Sequence, residues 1–197
     1  MSAERSWDQR RFVVEESAVN NGGKRTIFVE TMSPGVSVPP HFHTKFSETF
    51  DLIKGAIKVY KTDQPDEEKL EASAQDLKVG EPKMVEPLMY HKYKVGEEVT
   101  ALRVTLTPGN LDFERVLKIM NGLAEDGELE KFGDSKLLMG AIFELTDAHL
   151  FGPAKAMSEA LYAEDGDEIR AFRKELLEKY DTDEALKKLL VPVPVTA

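Results

Sequence analysis

Residues 39–50 read "PPHFHTKFSETF" and hold His41 and His43, two of the four histidines in the chain. Side chains one residue apart on a strand point to the same side, because the strand alternates with period two. Two imidazoles aimed one way can chelate a divalent metal. Glu48 follows across a short turn and can bring a carboxylate from the next strand. A fourth ligand should come from a distant strand, since one hairpin alone would hold a metal weakly. "EPLMYHKYKV" offers His91, just after a proline-containing turn and at the opening of an alternating run. The expected set is therefore His41, His43, Glu48 and His91. It leaves room for water or substrate on a metal that takes five or six ligands.

The surroundings of this stretch alternate in the same way. "TIFVETM", "ETFDLIKG", "AIKVYKT" and "VTALRVTL" are short runs rich in β-branched and aromatic residues, separated by turn signals such as "NNGG" at Asn20 and "TPGN" at Thr107. Many short strands so punctuated predict a sandwich or barrel over residues 1–108. "NNGG" predicts a hairpin turn, because Asn and Gly tolerate positive φ.

After "TPGN" the period becomes helical, and residues 109–197 read as an α-helical region with an extended tail, "VPVPVTA". Asn110 is the expected N-cap of a helix with Phe113, Val116, Leu117 and Met120 on one stripe and Gly122 near its end. Leu138, Ala141, Ile142 and Leu145 form a second stripe. Ile169, Phe172, Leu176 and Tyr180 form a third. Asp181 with Glu184 has the spacing of a capping box for a last short helix. Met120, Met139 and Met157 are expected to fill core. His149 is expected at a helix C-terminus, in a structural role. Trp7 and Phe12 are expected to cover an open end of the β unit.

Composition narrows the function. The formal net charge is −10 at pH 7. Lysines and arginines are interleaved with acids, so the basic footprint of a nucleic-acid binder is missing. No apolar run reaches membrane-helix length, and "MSAERSWDQRRF" shows no secretory h-region. The chain has no cysteine, which removes disulfides, thiolate metal sites and cysteine nucleophiles and suits a cytoplasmic location. "EDGELEKFGD" lacks the spacing and terminal glutamate of a calcium loop.

The spacing Gly35, five residues, His41, one, His43, four, Glu48, six, Gly55 resembles the first motif of the cupin family, with every fixed position present. The second cupin motif is partial. Gly80 and His91 stand at the expected spacing, but Glu86 replaces the proline, Leu88 the glycine and Val95 the asparagine. The resemblance covers about residues 25–107. It implies a mainly β, double-stranded β-helix (jelly-roll) barrel ahead of the helical region. A metal such as Fe, Mn, Ni, Co or Zn would sit inside near one mouth. Cupins include dioxygenases, sugar-phosphate isomerases, decarboxylases and non-enzymatic proteins, and many are dimers. The expectation is thus a cytoplasmic homodimer acting on a small polar molecule by dioxygenase chemistry, with isomerase chemistry or non-enzymatic ligand binding as alternatives. No catalytic residue is assigned. Tyr93 shares the parity of His91 and Phe50 that of Glu48, which makes both candidates for the pocket wall. Arg103 and Lys45 are candidates for holding an anionic substrate. Arg103 faces inward only if the polar side of its strand is the inner one.

Overall fold

The computed structural model describes residues 11–129 and 135–190. Trp7 and the tail 191–197 lie outside them. Two five-stranded sheets carry the fold. The first is ordered β1 (Phe12–Glu16), β2 (Thr26–Met32), β9 (Thr100–Thr107), β4 (Ser47–Lys54), β7 (Lys83–Val85). The second is ordered β10 (His149–Leu150), β3 (His41–Phe42), β8 (Tyr90–Val95), β5 (Ile57–Thr62), β6 (Gln75–Asp76). Every pairing between these strands is antiparallel.

The alternation read from the sequence sets the inner face. Phe50 and Leu52 on β4, and Leu102, Val104 and Leu106 on β9, are buried. They form one cluster with Ile57, Val59 and Val95 from the second sheet. Removing such side chains from water contributes about 1.5–3 kcal/mol each, and this burial holds the sheets face to face. Gly55 ends β4 at φ 92°, and a Cβ there would collide with Thr100. Any side chain would therefore break the crossing from β4 to β5.

The "NNGG" turn takes a different form from the tight hairpin expected. Ser17 accepts a hydrogen bond from the Val19 amide and starts a helical turn, α1 (Ala18–Asn21), which Gly22 ends at φ 70°. The asparagines are helical, and the glycines supply the left-handed exit that joins β1 to β2.

The other helices are α2 (Glu67–Ala72), α3 (Leu111–Glu125), α4 (Lys136–Phe143), α5 (Gly152–Tyr180, kinked at Asp165) and α6 (Asp183–Leu189). Asn110 caps α3 by accepting from the Phe113 amide at 2.9 Å. Leu117, with Phe113 and Met120, packs α3 on the sheets. Ile119 and Leu123 pack it on Leu138, Ala141, Leu176 and Tyr180 of α4 and α5. Phe12 is buried in the sheet core. Three expectations are corrected. Met157 is 72% exposed and Met139 37%, so neither fills core. Thr182, not Asp181, caps α6 by accepting from Ala185, while Asp181 pairs with Arg115 and Lys118. Gly122 stands in the last turn of α3, as expected, and its missing side chain leaves room for the Tyr180 ring. His149 sits in β10, not on a helix. Among the described residues no helix is long and apolar enough to cross a membrane.

The helical half is tied to both sheets. β10 extends the second sheet by pairing with β3, and Leu190 bridges to Val14 on β1. Glu114 on α3 is buried and accepts from Ser17 Oγ at 2.6 Å, the Ala18 amide at 2.7 Å and Thr26 Oγ1 at 2.6 Å. Glu114→Ala would strand three donors, two of them on buried hydroxyls. The expected loss is roughly 2–4 kcal/mol of unfolding free energy, read as a lower urea midpoint. A midpoint within error of the parent would contradict this role.

Candidate metal centre

β3 is short, yet it places His41 directly opposite His91 on β8. His43 follows one residue beyond the strand's end, and Glu48 projects from β4 in the other sheet. All four side chains are buried. One nitrogen or oxygen from each lies within 4.8 Å of the others.

Backbone carbonyls fix which nitrogen each ring presents. His41 Nδ1 lies 2.8 Å from the Pro39 oxygen, His91 Nδ1 3.0 Å from the Met89 oxygen, and His43 Nδ1 3.0 Å from the Asp147 oxygen. A carbonyl only accepts, so each Nδ1 carries the proton and each neutral ring turns an Nε2 lone pair inward. His41 Nε2 and His43 Nε2 are 3.2 Å apart. His91 Nε2 and Glu48 Oε2 are 3.2 Å apart, and His43 Nε2 and Glu48 Oε2 are 3.6 Å apart. With all three rings neutral, four acceptors converge, and a metal ion or a proton would supply the positive charge that they favour. Ligands each roughly 2.1 Å from one ion stand about 3–4 Å apart, which is the spacing of these pairs.

Without a metal, a proton supplies that charge. Burial pushes His41 well below the usual imidazole range, and the neighbouring His91 and His43 push it further. Burial also opposes charge on His43, but its contact with Glu48 outweighs this and raises the group. Burial would raise Glu48, yet the contacts from His43 and His91 win and hold it ionised. Glu48 thus favours the protonated form of His43. Metal must displace that proton, so uptake is expected to release about one proton below the raised pKa of His43. Affinity should then fall about tenfold per pH unit as pH drops through that range. Calorimetry in buffers of different ionisation heat measures the proton count, and a count of zero would contradict this assignment.

The turn before His91 explains the partial second motif. Leu88 occupies the glycine position at φ 68° and donates its amide to the His43 carbonyl at 2.7 Å. The left-handed geometry is kept by a residue for which it costs about 1–2 kcal/mol. Glu86, at the proline position, pairs instead with Lys61 at 2.9 Å. Val95, at the asparagine position, is buried in the core. Because Leu88 is 61% exposed, Leu88→Gly loses little packing. It is expected to raise stability by roughly 0.5–1 kcal/mol, seen as a Tm increase of about 2 °C. A lower Tm would show that Leu88 contributes more than backbone geometry.

The expected wall residues divide. Phe50 is buried with its ring 6.3 Å from His91 and 5.9 Å from Tyr93. The Tyr93 hydroxyl points to Glu30 across the sheets at 3.5 Å, and burial, with Glu30 and Glu48 nearby, raises it well above the usual phenol range. Glu30 is itself raised by burial, against the pull of Arg11 at 3.6 Å. Arg103 lies on the opposite face of β9 from Leu102 and Val104. It pairs with Glu15 at 2.7 Å and Asp51 at 3.2 Å, away from the four ligands. Strand parity placed it on that face, and the apolar side proved the inner one. Lys45 is exposed, 3.9 Å from Asp147. His149 stacks on Phe42. Sequence reading missed Glu30 and Asp147, since neither stands in a motif.

The two-sheet arrangement, with the four side chains on and beside β3, β4 and β8, is consistent with the resemblance to the first cupin motif. No protein-family model and no curated protein matches the chain. Solved structures similar to part of it include KdgF from Halomonas sp., at 14% identity, TM-score 0.42, over 51% of this chain and 80% of that one. The Schizosaccharomyces pombe Cnp3 cupin domain is similar at 19% identity, TM-score 0.40, over 53% of this chain and 68% of that one. Geodermatophilus obscurus L-ribose isomerase is similar at 16% identity, TM-score 0.38, over 43% of this chain and 50% of that enzyme.

Proposed function

We propose that the chain is a metal-dependent cupin enzyme acting on a small polar molecule. His41, His43, Glu48 and His91 would hold one divalent transition metal. The observation that carries this is the convergence of three imidazole Nε2 atoms and a carboxylate in one buried cluster. Borderline nitrogen ligands with one carboxylate suit Fe, Mn, Co, Ni or Zn. When bound, the metal supplies Lewis-acid chemistry or, if redox-active, the dioxygenase chemistry read from the family resemblance.

The chain's own residues prepare the site. The three carbonyls orient the rings before any ion arrives. Glu48 balances one positive charge, and the burial of the cluster strengthens that attraction. Phe50 supplies a dry wall beside His91. Tyr93 stays a neutral phenol and presents its hydroxyl with Glu30 further along the interior, as a candidate contact for a substrate hydroxyl.

Protein purified untagged without added metal is expected to carry about one equivalent of a transition metal by mass spectrometry. His41→Ala and His91→Ala should each lose it. If the parent holds none and takes up none on reconstitution, the proposal fails. Oxygen uptake by the iron-loaded protein across small polar substrates would favour the dioxygenase form. Isomerisation without oxygen uptake would favour the sugar-isomerase form.

A further inference from the structure

The third carbonyl that orients a ligand does not come from the β unit. Asp147 follows α4, just ahead of β10, 104 residues beyond His43, and its carbonyl oxygen accepts the hydrogen bond from His43 Nδ1–H. The other two carbonyls, Pro39 and Met89, lie two residues before the histidines they serve. Only His43 depends on a distant segment for its orientation.

That segment is held by the Asp147 side chain. Its carboxylate accepts from the Thr44 amide at 2.7 Å and the Lys45 amide at 2.9 Å. It also meets Thr44 Oγ1 at 3.1 Å and His149 Nε2 at 3.1 Å. These contacts clasp the chain immediately after His43. Asp147 is buried and has φ 53°, a left-handed backbone that an L side chain adopts at a cost. A strained residue kept in place by five polar contacts is one whose geometry the surroundings over-determine.

We propose that Asp147 is a positioning residue for the metal centre, completing it from the helical half of the chain. Its side chain grips the Thr44 and Lys45 amides, and that grip holds its carbonyl on His43. The carbonyl in turn aims His43 Nε2 at the other three ligands. Partners that orient metal-bound histidines typically account for 10–100-fold in metal affinity. The helical region is therefore part of the site. This inference rests on the metal reading above for its affinity consequence, but not for the orientation of His43.

The test uses the full chain with Asp147→Gly and Asp147→Asn. Glycine fits φ 53° and removes the carboxylate, so folding is retained while the grip is lost. Asparagine keeps an acceptor for the two amides. Two quantities are read: the His43 Nδ1–H resonance of the metal-free protein, assigned by its loss in His43→Gln, and Co(II) affinity with its visible spectrum. The parent and Asp147→Asn should show a slowly exchanging Nδ1–H and similar affinity. Asp147→Gly should lose the resonance and bind Co(II) 10–100-fold more weakly, with unchanged circular dichroism. A resonance that persists in Asp147→Gly overturns the proposal, whether or not affinity falls, because the effect would not run through His43. If the parent binds no Co(II) while the resonance still depends on Asp147, the positioning role stands and the metal reading fails.

Discussion

The site depends on three hydrogen bonds that contain no metal ligand atom: the bonds from imidazole Nδ1–H to the Pro39, Met89 and Asp147 carbonyls. Each leaves one Nε2 lone pair no direction but inward. The result is a cluster of acceptors that would be strongly unfavourable in a dry interior without a cation. The sheets accept this because their apolar faces carry the fold. Among the described residues outside the cluster no buried side-chain nitrogen or oxygen lacks a partner, so the cluster is where positive charge is still called for.

The topology distributes that demand across the molecule. His41 and His91 face each other within one sheet, Glu48 comes from the other, and His43 is steadied from the helical region. A shift between sheets would pull Glu48 from His91, and a shift of the helical region would release His43. The buried carboxyl of Glu114 opposes the second movement by fastening α3 to the β1–β2 connection. The helical half therefore adds a strand to the second sheet and a carbonyl to the histidine–glutamate cluster.

Local chemistry made much of this legible in the sequence. The spacing from Gly35 to Gly55 placed three residues of the buried cluster, period-two alternation placed the core, and Asn110 marked the start of α3. Two kinds of feature escaped. Where a short signal supports two local solutions, tertiary context chose: "NNGG" became a helix exit, and Thr182 took the cap expected of Asp181. Where the partner is distant in sequence, no local signal exists. Asp147 meets Thr44 across 103 residues and Glu114 meets Ser17 across 97, and a lone acid gives no sign of such a partner. Met157 looked like core because methionine usually packs, but its position left it in solvent.

The central claim is that His41, His43, Glu48 and His91 converge on one cation. X-ray absorption at the metal edge of the loaded protein tests it most directly. The account predicts a nitrogen/oxygen shell near roughly 2.1 Å, with the multiple-scattering signature of three imidazoles, and no retained metal in His91→Ala. A shell of oxygen ligands alone, or a three-imidazole signature unchanged in His91→Ala, would contradict it.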